Sequence, residues 1–353
     1  MLSRYLPLNL RVALSRLRFA PALLPLCILL GGGAAVTATA QDMRFTQYNA
    51  LPTSLNPGYV GVTERAQLAS LYRSQWSSLP NGFVGWHVAH DWYNRNLNSG
   101  FGVLFSNEQA GAGALATTKV ALQYAYEVPL VNGWRFRPAL QLAGANRSID
   151  MSKLTFGDQL IRGDEFATLE GPMNESRNYA DFGTGMLLVG PKMWVGFSAD
   201  HINRPDESLF SGYADPMGVK TSTHGGFRMR AAQHPRSRHR SDFVFSFNYM
   251  TQDGFDQLDL GAYYDAHPLS VGLWWRGLPV GHTVEGGHDV DAVCLILGYG
   301  TDDWKIGYSY DITVSTLGLG NSGGSHELML KYRWDHDRRS RPQLSRALPC
   351  PSF

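Results

Sequence analysis

The chain has 353 residues, with 31 Lys and Arg against 30 Asp and Glu and a formal net charge of +1. That balance gives no argument for nucleic-acid binding, and three cysteines in a chain of this length do not make a disulfide scaffold. Aromatic residues at 12%, 38 glycines and a slightly negative mean hydropathy fit strands that are apolar on one face and polar on the other.

Residues 1–40 begin with Arg4, Arg11, Arg16 and Arg18, continue through the apolar run FAPALLPLCILLGGGAAV and end on Ala38-Thr39-Ala40. This is the pattern of a secretory signal peptide, with cleavage expected before Gln41. Cys27 follows Leu26, whereas a lipidated cysteine follows a small residue, so Cys27 belongs to the discarded segment. Losing four arginines and no acid takes the formal charge from +1 to −3. Export leads to a compartment that permits disulfides. Whether Cys294 and Cys350 pair is left open by the sequence.

Residues 41–64 contain FTQYNALPTSLNPGYVG, whose Pro52, Pro57, Asn49, Asn56, Gly58 and Gly61 interrupt any regular period. Phe45, Tyr48, Leu51, Leu55, Tyr59 and Val60 still require burial. The expectation is an ordered, irregular segment packed on something larger, as a plug or a periplasmic lid.

From residue 65 to 334 no window reaches the ~18 apolar residues of a spanning helix. Instead, apolar and polar residues alternate. In KVALQYAYEV, Val120, Leu122, Tyr124, Tyr126 and Val128 share one face; in WKIGYSYDIT, Trp304, Ile306, Tyr308, Tyr310 and Ile312 do the same. About fourteen such segments recur, at 65–78, 82–93, 98–109, 112–128, 133–147, 180–190, 193–203, 221–233, 241–252, 255–267, 269–277, 291–301, 304–313 and 325–334. Long connections at 148–179, 204–220, 278–290 and 314–324 fall on one side and tight turns on the other. An even strand number, unequal loops and aromatic outer faces predict an all-β fold, a transmembrane antiparallel barrel of the outer membrane. Trp76, Trp86, Trp92, Trp134, Trp194, Trp304 and Trp334 are expected near strand ends or on outward faces, where an indole suits the headgroup region.

The inward positions carry both charges: His87, Asp91, Lys119, Glu127, Arg135, Arg137, Asp200, Asp259, Asp265, Arg276, Lys305, Asp311, Glu327, Lys331 and Arg333. Such charges can pair with one another and with a plug. No catalytic residue, metal or cofactor is expected. Gly196-Phe197-Ser198-Ala199-Asp200 lacks the closing glycine of a nucleophile elbow, His87 and His90 point to opposite faces of a strand, and Gly286 to Asp291 has too few acids at calcium-loop spacing. The run HPRSRHR, with Arg236, Arg238 and Arg240, falls on the short-turn side as a solvated turn or a docking patch for an acidic periplasmic partner. Residues 335–353 read as a periplasmic tail.

Three stretches resemble the PorP/SprF family of outer-membrane proteins of the Bacteroidetes type IX secretion and gliding system. Phe45-Thr46-Gln47-Tyr48 and Asn56-Pro57-Gly58-Tyr59-Val60-Gly61 are similar to the family's F-S-Q-Y and N-P-A-Y-A-G elements, and Arg73-Ser74-Gln75-Trp76 to its R-x-Q-W. The C-terminal part adds Gly307-Tyr308-Ser309-Tyr310-Asp311, Gly323-Gly324-Ser325-His326-Glu327 and Cys350-Pro351-Ser352-Phe353. Leu51 stands where the family has the asparagine of a first Asn-Pro pair, and Gly58 and Val60 stand where it has alanines. The resemblance implies a non-enzymatic component that supports secretion or surface attachment of a partner protein with a C-terminal sorting domain, or that contacts periplasmic parts of the machine. It makes Phe45, Gln47, Tyr48, Asn56, Pro57, Tyr59, Gly61, Arg73, Gln75, Trp76, Cys350, Pro351 and Phe353 the candidate plug or partner residues, with lipid and protein as partners. The competing reading is a passive channel for small solutes or lipids.

Overall fold

The computed structural model describes residues 42–79, 82–111, 115–162, 175–210, 212–231, 241–282, 288–314 and 319–334. The strands are β1 Ala66–Gln75, β2 Phe83–Asn94, β3 Ser99–Ala110, β4 Leu115–Tyr126, β5 Val128–Pro129, β6 Arg135–Ser148, β7 Ser176–Val189 and β8 Met193–Asp200. They continue as β9 Lys220–Arg230, β10 Ser241–Gln252, β11 Phe255–Ala266, β12 Leu269–His282, β13 His288–Gly300, β14 Trp304–Thr313 and β15 Ser325–Trp334.

All pairings are antiparallel. β5 is a two-residue pairing with the start of β6 and lies off the ring, because β4 pairs directly with β6 from Ala116↔Ser148 to Ala125↔Ala139. β1 pairs with β15 from Ala66↔Trp334 to Gln75↔Ser325, and this closes the sheet into a barrel of 14 strands. Closure gives every ladder group a partner and leaves no edge, the condition for spanning lipid with strands. No described helix is long and apolar enough to cross a membrane.

Period-two sequence becomes two-sided structure. On β4, Val120, Leu122, Tyr124 and Tyr126 are exposed outward while Ala121, Gln123 and Ala125 are buried inward. On β14, Trp304, Ile306 and Tyr308 face out, and Lys305, Ser309 and Asp311 face in. The inner wall is lined by small and polar residues, among them Ala69, Ala89, Ala121, Ala139 and Ala143. Such a wall leaves room for other chain inside.

Trp194, expected near a strand end or on an outward face, is the second residue of β8; it is 2% exposed and faces inward over Gly226, whose missing side chain makes space for the indole. β12 runs on to His282 and β13 begins at His288, whereas the alternation placed strands at 269–277 and 291–301 with a connection at 278–290, which is corrected here. Register shifts at Arg276/Gly277 and Leu278/His282 accommodate that irregular stretch within the ladder.

Candidate functional site

Residues 42–64 lie inside the wall. Thr46, Gln47, Ala50, Leu51, Asn56, Tyr59 and Val60 are each at most 2% exposed. Two 3₁₀ turns, Pro52–Ser54 and Pro57–Tyr59, shape the segment, each with proline at its start, where the missing N–H is not needed. Asn56 is extended, and its side chain caps the second turn by accepting from the Gly58 N–H at 2.7 Å. The Asn56 amide also donates to the carbonyls of Met186 at 3.0 Å and Phe197 at 3.1 Å, on β7 and β8. The carboxamide thus joins the turn to the wall.

The segment crosses the lumen lengthwise. Asp42 sits near the ends of the long connection 201–219: its carboxylate lies 2.9 Å from Lys220 Nζ and 3.0 Å from His201 Nε2. At the opposite end the Gly61 N–H donates to Asp91 at 2.8 Å, and Glu64 pairs with Arg95 of the short β2–β3 turn at 3.1 Å. From there the chain enters β1.

Three charged groups hold the segment. Near its start, Thr46 lies between Arg73, Arg276, Asp311 and Glu327. Its N–H donates to Glu327 at 2.6 Å, its hydroxyl donates to Asp311 at 2.6 Å, and that hydroxyl accepts from Arg73 at 3.1 Å and Arg276 at 2.9 Å. Arg73 pairs with Asp311 at 2.8 Å and, more closely, with Glu327, and all three side chains are almost fully buried. The second group is Arg137, which pairs with Glu127, donates to the carbonyls of Gly58 and Val60, and lies over the Tyr93 ring.

The third group is the cluster at Asp42. His201, just past the end of β8, has Asp181 Oδ1 3.0 Å from Nδ1 and Asp42 Oδ2 3.0 Å from Nε2. Both ring nitrogens therefore face acceptors, which suits the doubly protonated imidazolium. Burial pulls its pKa down, but Asp42 and Asp181 outweigh burial and raise it to about 9. Burial likewise works against the Asp42 carboxylate, yet Lys220 and His201 hold it well below the usual carboxylate range.

Aromatic contacts complete the fit. Phe45 meets the His87 ring at 4.3 Å, Tyr48 meets Trp274 edge-on at 5.0 Å, and Tyr59 meets His224 at 5.6 Å. Gly85, Gly100 and Gly185 stand where Met43, Val60 and Asn56 press closest to the wall, and a Cβ at any of them would collide with the segment.

The sequence-derived candidates divide accordingly. Phe45, Gln47, Tyr48, Asn56, Pro57, Tyr59, Gly61 and Arg73 come together in the lumen. Gln75 accepts from Arg73 Nε at 3.3 Å. Trp76 sits at the end of β1 with its ring edge-on to Phe83 at 5.2 Å, apart from the segment's polar contacts. Ser198 donates to the Leu55 carbonyl, and the two histidines diverge, His87 toward Glu108 and His90 onto Trp92 and Trp334. Residues 1–41, Arg236, Arg238 and Arg240, and the tail with Cys350, Pro351 and Phe353 lie outside the described residues, as do Gly286 and Gly287, while His288 to Asp291 open β13.

Thr46, Asp42 and His201 were not singled out as site residues in the sequence, Arg276 appeared there only as an inward charge, and Asp311 and Glu327 appeared as inward charges and within the C-terminal stretches of the resemblance. Alternation identifies which strand residues face in. It does not identify which of them meet a segment far away in sequence.

A family model described as type IX secretion system membrane protein PorP/SprF matches residues 37–332. No curated protein gives a significant match. Among solved structures, the Acinetobacter baumannii outer membrane protein Omp33 is 8% identical, with 77% of this chain and 100% of that one covered and a TM-score of 0.40. The monoaromatic hydrocarbon channel CymD is 12% identical over 81% and 93%, with a TM-score of 0.42. A triple mutant of Rhodopseudomonas blastica porin is 8% identical over 76% and 99%, with a TM-score of 0.29.

Proposed function

The chain belongs to the PorP/SprF family of type IX secretion system membrane proteins, and from that premise we propose that it is a non-enzymatic outer-membrane barrel supporting secretion or surface attachment of a partner protein, with residues 42–64 as its plug. The observation that carries this reading is the occupied lumen. A diffusion channel needs an open water path, whereas here Arg73, Arg137, Asp311 and Glu327 are engaged with one another and with the segment. Buried polar groups engaged in this way rigidify the interior that they fill.

Deleting the protein from its host should remove one or a few proteins from the cell surface while small-solute uptake stays unchanged. A steady, large conductance from the purified protein, together with an unchanged surface proteome, overturns the reading in favour of a passive channel. The basic run is proposed as the contact for an acidic periplasmic component of the machine. Reversing Arg236, Arg238 and Arg240 to Glu should abolish co-purification of that component from cells in which the barrel still assembles, and undiminished co-purification removes this part of the proposal.

A further inference from the structure

The wall engages the segment largely through its main chain. Glu327 accepts from the N–H groups of Thr46 at 2.6 Å and Gln47 at 2.9 Å, Glu108 from Met43 at 3.1 Å, and Asp91 from Gly61 at 2.8 Å. In the other sense, Gln123 donates to the Thr53 carbonyl at 2.8 Å, Ser198 to Leu55 at 2.8 Å, and Arg137 to Gly58 at 2.9 Å. These six side chains come from β15, β3, β2, β4 and β8 and from the start of β6, an arc of the wall that runs from β15 through β1 to β8.

Amide N–H and C=O groups recur at every residue of a polypeptide, whereas a sugar unit or an acyl chain carries at most a single amide. A wall that presents carboxylates to N–H groups and amide, hydroxyl and guanidinium donors to carbonyls is chemically a polypeptide site, and the charged partners make its bonds the stronger kind. Selectivity comes from the side chains that the wall receives: Phe45 at His87, Tyr48 at Trp274, Asn56 at the β7 and β8 carbonyls, and Tyr59 at His224.

We infer that the lumen is a binding site for a non-helical polypeptide segment, filled here by the chain's own residues 42–64, and that a segment of like aromatic and asparagine spacing from a second polypeptide can occupy it in trans. The inference rests on the reading of the protein as a partner-handling barrel, and it names the site and the class of partner. It differs from recognition by strand addition, since the barrel has no free edge and side chains supply the hydrogen bonds.

The experiment uses the full chain, purified in detergent, with its own segment loosened by Asn56→Ala and Tyr59→Ala, or independently by Phe45→Ala and Gln47→Ala. The probe is a fluorescent synthetic peptide of residues 42–64, compared with a scrambled peptide of equal composition by fluorescence anisotropy. In variants that keep the heat-modifiable migration of a folded barrel, the native-sequence peptide should bind at least about tenfold more tightly than the scrambled one, and the unaltered protein should bind it at least about tenfold more weakly than the variants do. Equal binding of both peptides by the folded variants, or binding of neither, overturns the inference. In either case, continued loss of surface proteins on deletion leaves the accessory role standing and removes only the lumen as its site.

Discussion

Arg73 has almost no solvent-accessible surface, and its charge is balanced only because Asp311 and Glu327 reach it across β15 and β14. Removing one partner of such a group leaves the others buried and uncompensated, which typically costs about 3 to 5 kcal/mol. Arg73→Ala is therefore expected to lower the unfolding free energy in denaturant titrations by about that much, whereas Arg162→Ala should change it by less than about 0.5 kcal/mol. The contrast follows from geometry, since Arg162 pairs with Asp158 on a partly exposed single helical turn. Equal effects of the two substitutions would remove the buried group from its assigned role. The Asp42 cluster predicts a pH dependence. His201 is raised from 6.5 to about 9, so the protonated imidazole adds stability that is complete below pH 6.5 and is lost as pH rises through about 9. Asp42 is depressed below 3.8, so its contribution is present above that value and lost as pH falls further. Between pH 6 and 10 the denaturation midpoint of the unaltered protein should fall, and that of a His201→Gln variant should fall less. Parallel profiles would mean that the imidazolium does not hold Asp42.

The strands were legible element by element because lipid on one side and a polar lumen on the other impose period two on every one of them. Their ends were less legible: β7 begins at Ser176 rather than 180, since the polar residues Ser176, Arg177 and Asn178 extend the ladder with β6 beyond the alternating stretch. The segment 42–64 was legible only as something irregular that required burial. Its path depends on which inward groups lie opposite it, and contacts such as Thr46 to Glu327, Gln47 to Ser309 and Asn56 to Phe197 join residues far apart in sequence. Glycines mark that path in the wall. A Cβ on Gly100 would strike the Val60 carbonyl, a backbone atom that cannot swing away, whereas Gly144 on the outward face of β6 has nothing near its Cβ position. Gly100→Ala is expected to destabilise the protein by about 1 to 3 kcal/mol, the usual range for overpacking, and to speed proteolytic cutting within residues 42–64. Gly144→Ala should lie within about 0.5 kcal/mol of the unaltered protein. If both substitutions are equally mild by denaturation and limited proteolysis, the close seating of the segment on β3 is incorrect.

For the whole barrel, the distribution of connections sets its orientation in the membrane. The connections on the β1-start side are 95–98, 127–134, 190–192, 231–240, 267–268 and 301–303, and the other side carries the three longest, 149–175, 201–219 and 314–324, beside the shorter 76–82, 111–114, 253–254 and 283–287. Outer-membrane barrels place short turns in the periplasm and long loops outside, so the Asp42 end of the segment lies toward the cell surface and the Gly61 end toward the periplasm. Leu160, on the helical turn Gly157–Arg162 of a long connection, is 72% exposed, and Val131, in the short turn before β6, is 80% exposed. Both can carry a reporter without disturbing packing. In a Cys350→Ser background, with Cys294 buried in the wall, Leu160→Cys should react with a membrane-impermeant maleimide on intact cells. Val131→Cys should react only after the outer membrane is permeabilised. The reverse order of labelling would invert the barrel, place Asp42 in the periplasm, and bring a peptide entering the lumen first to the Asp42 cluster rather than to Arg137 from that side.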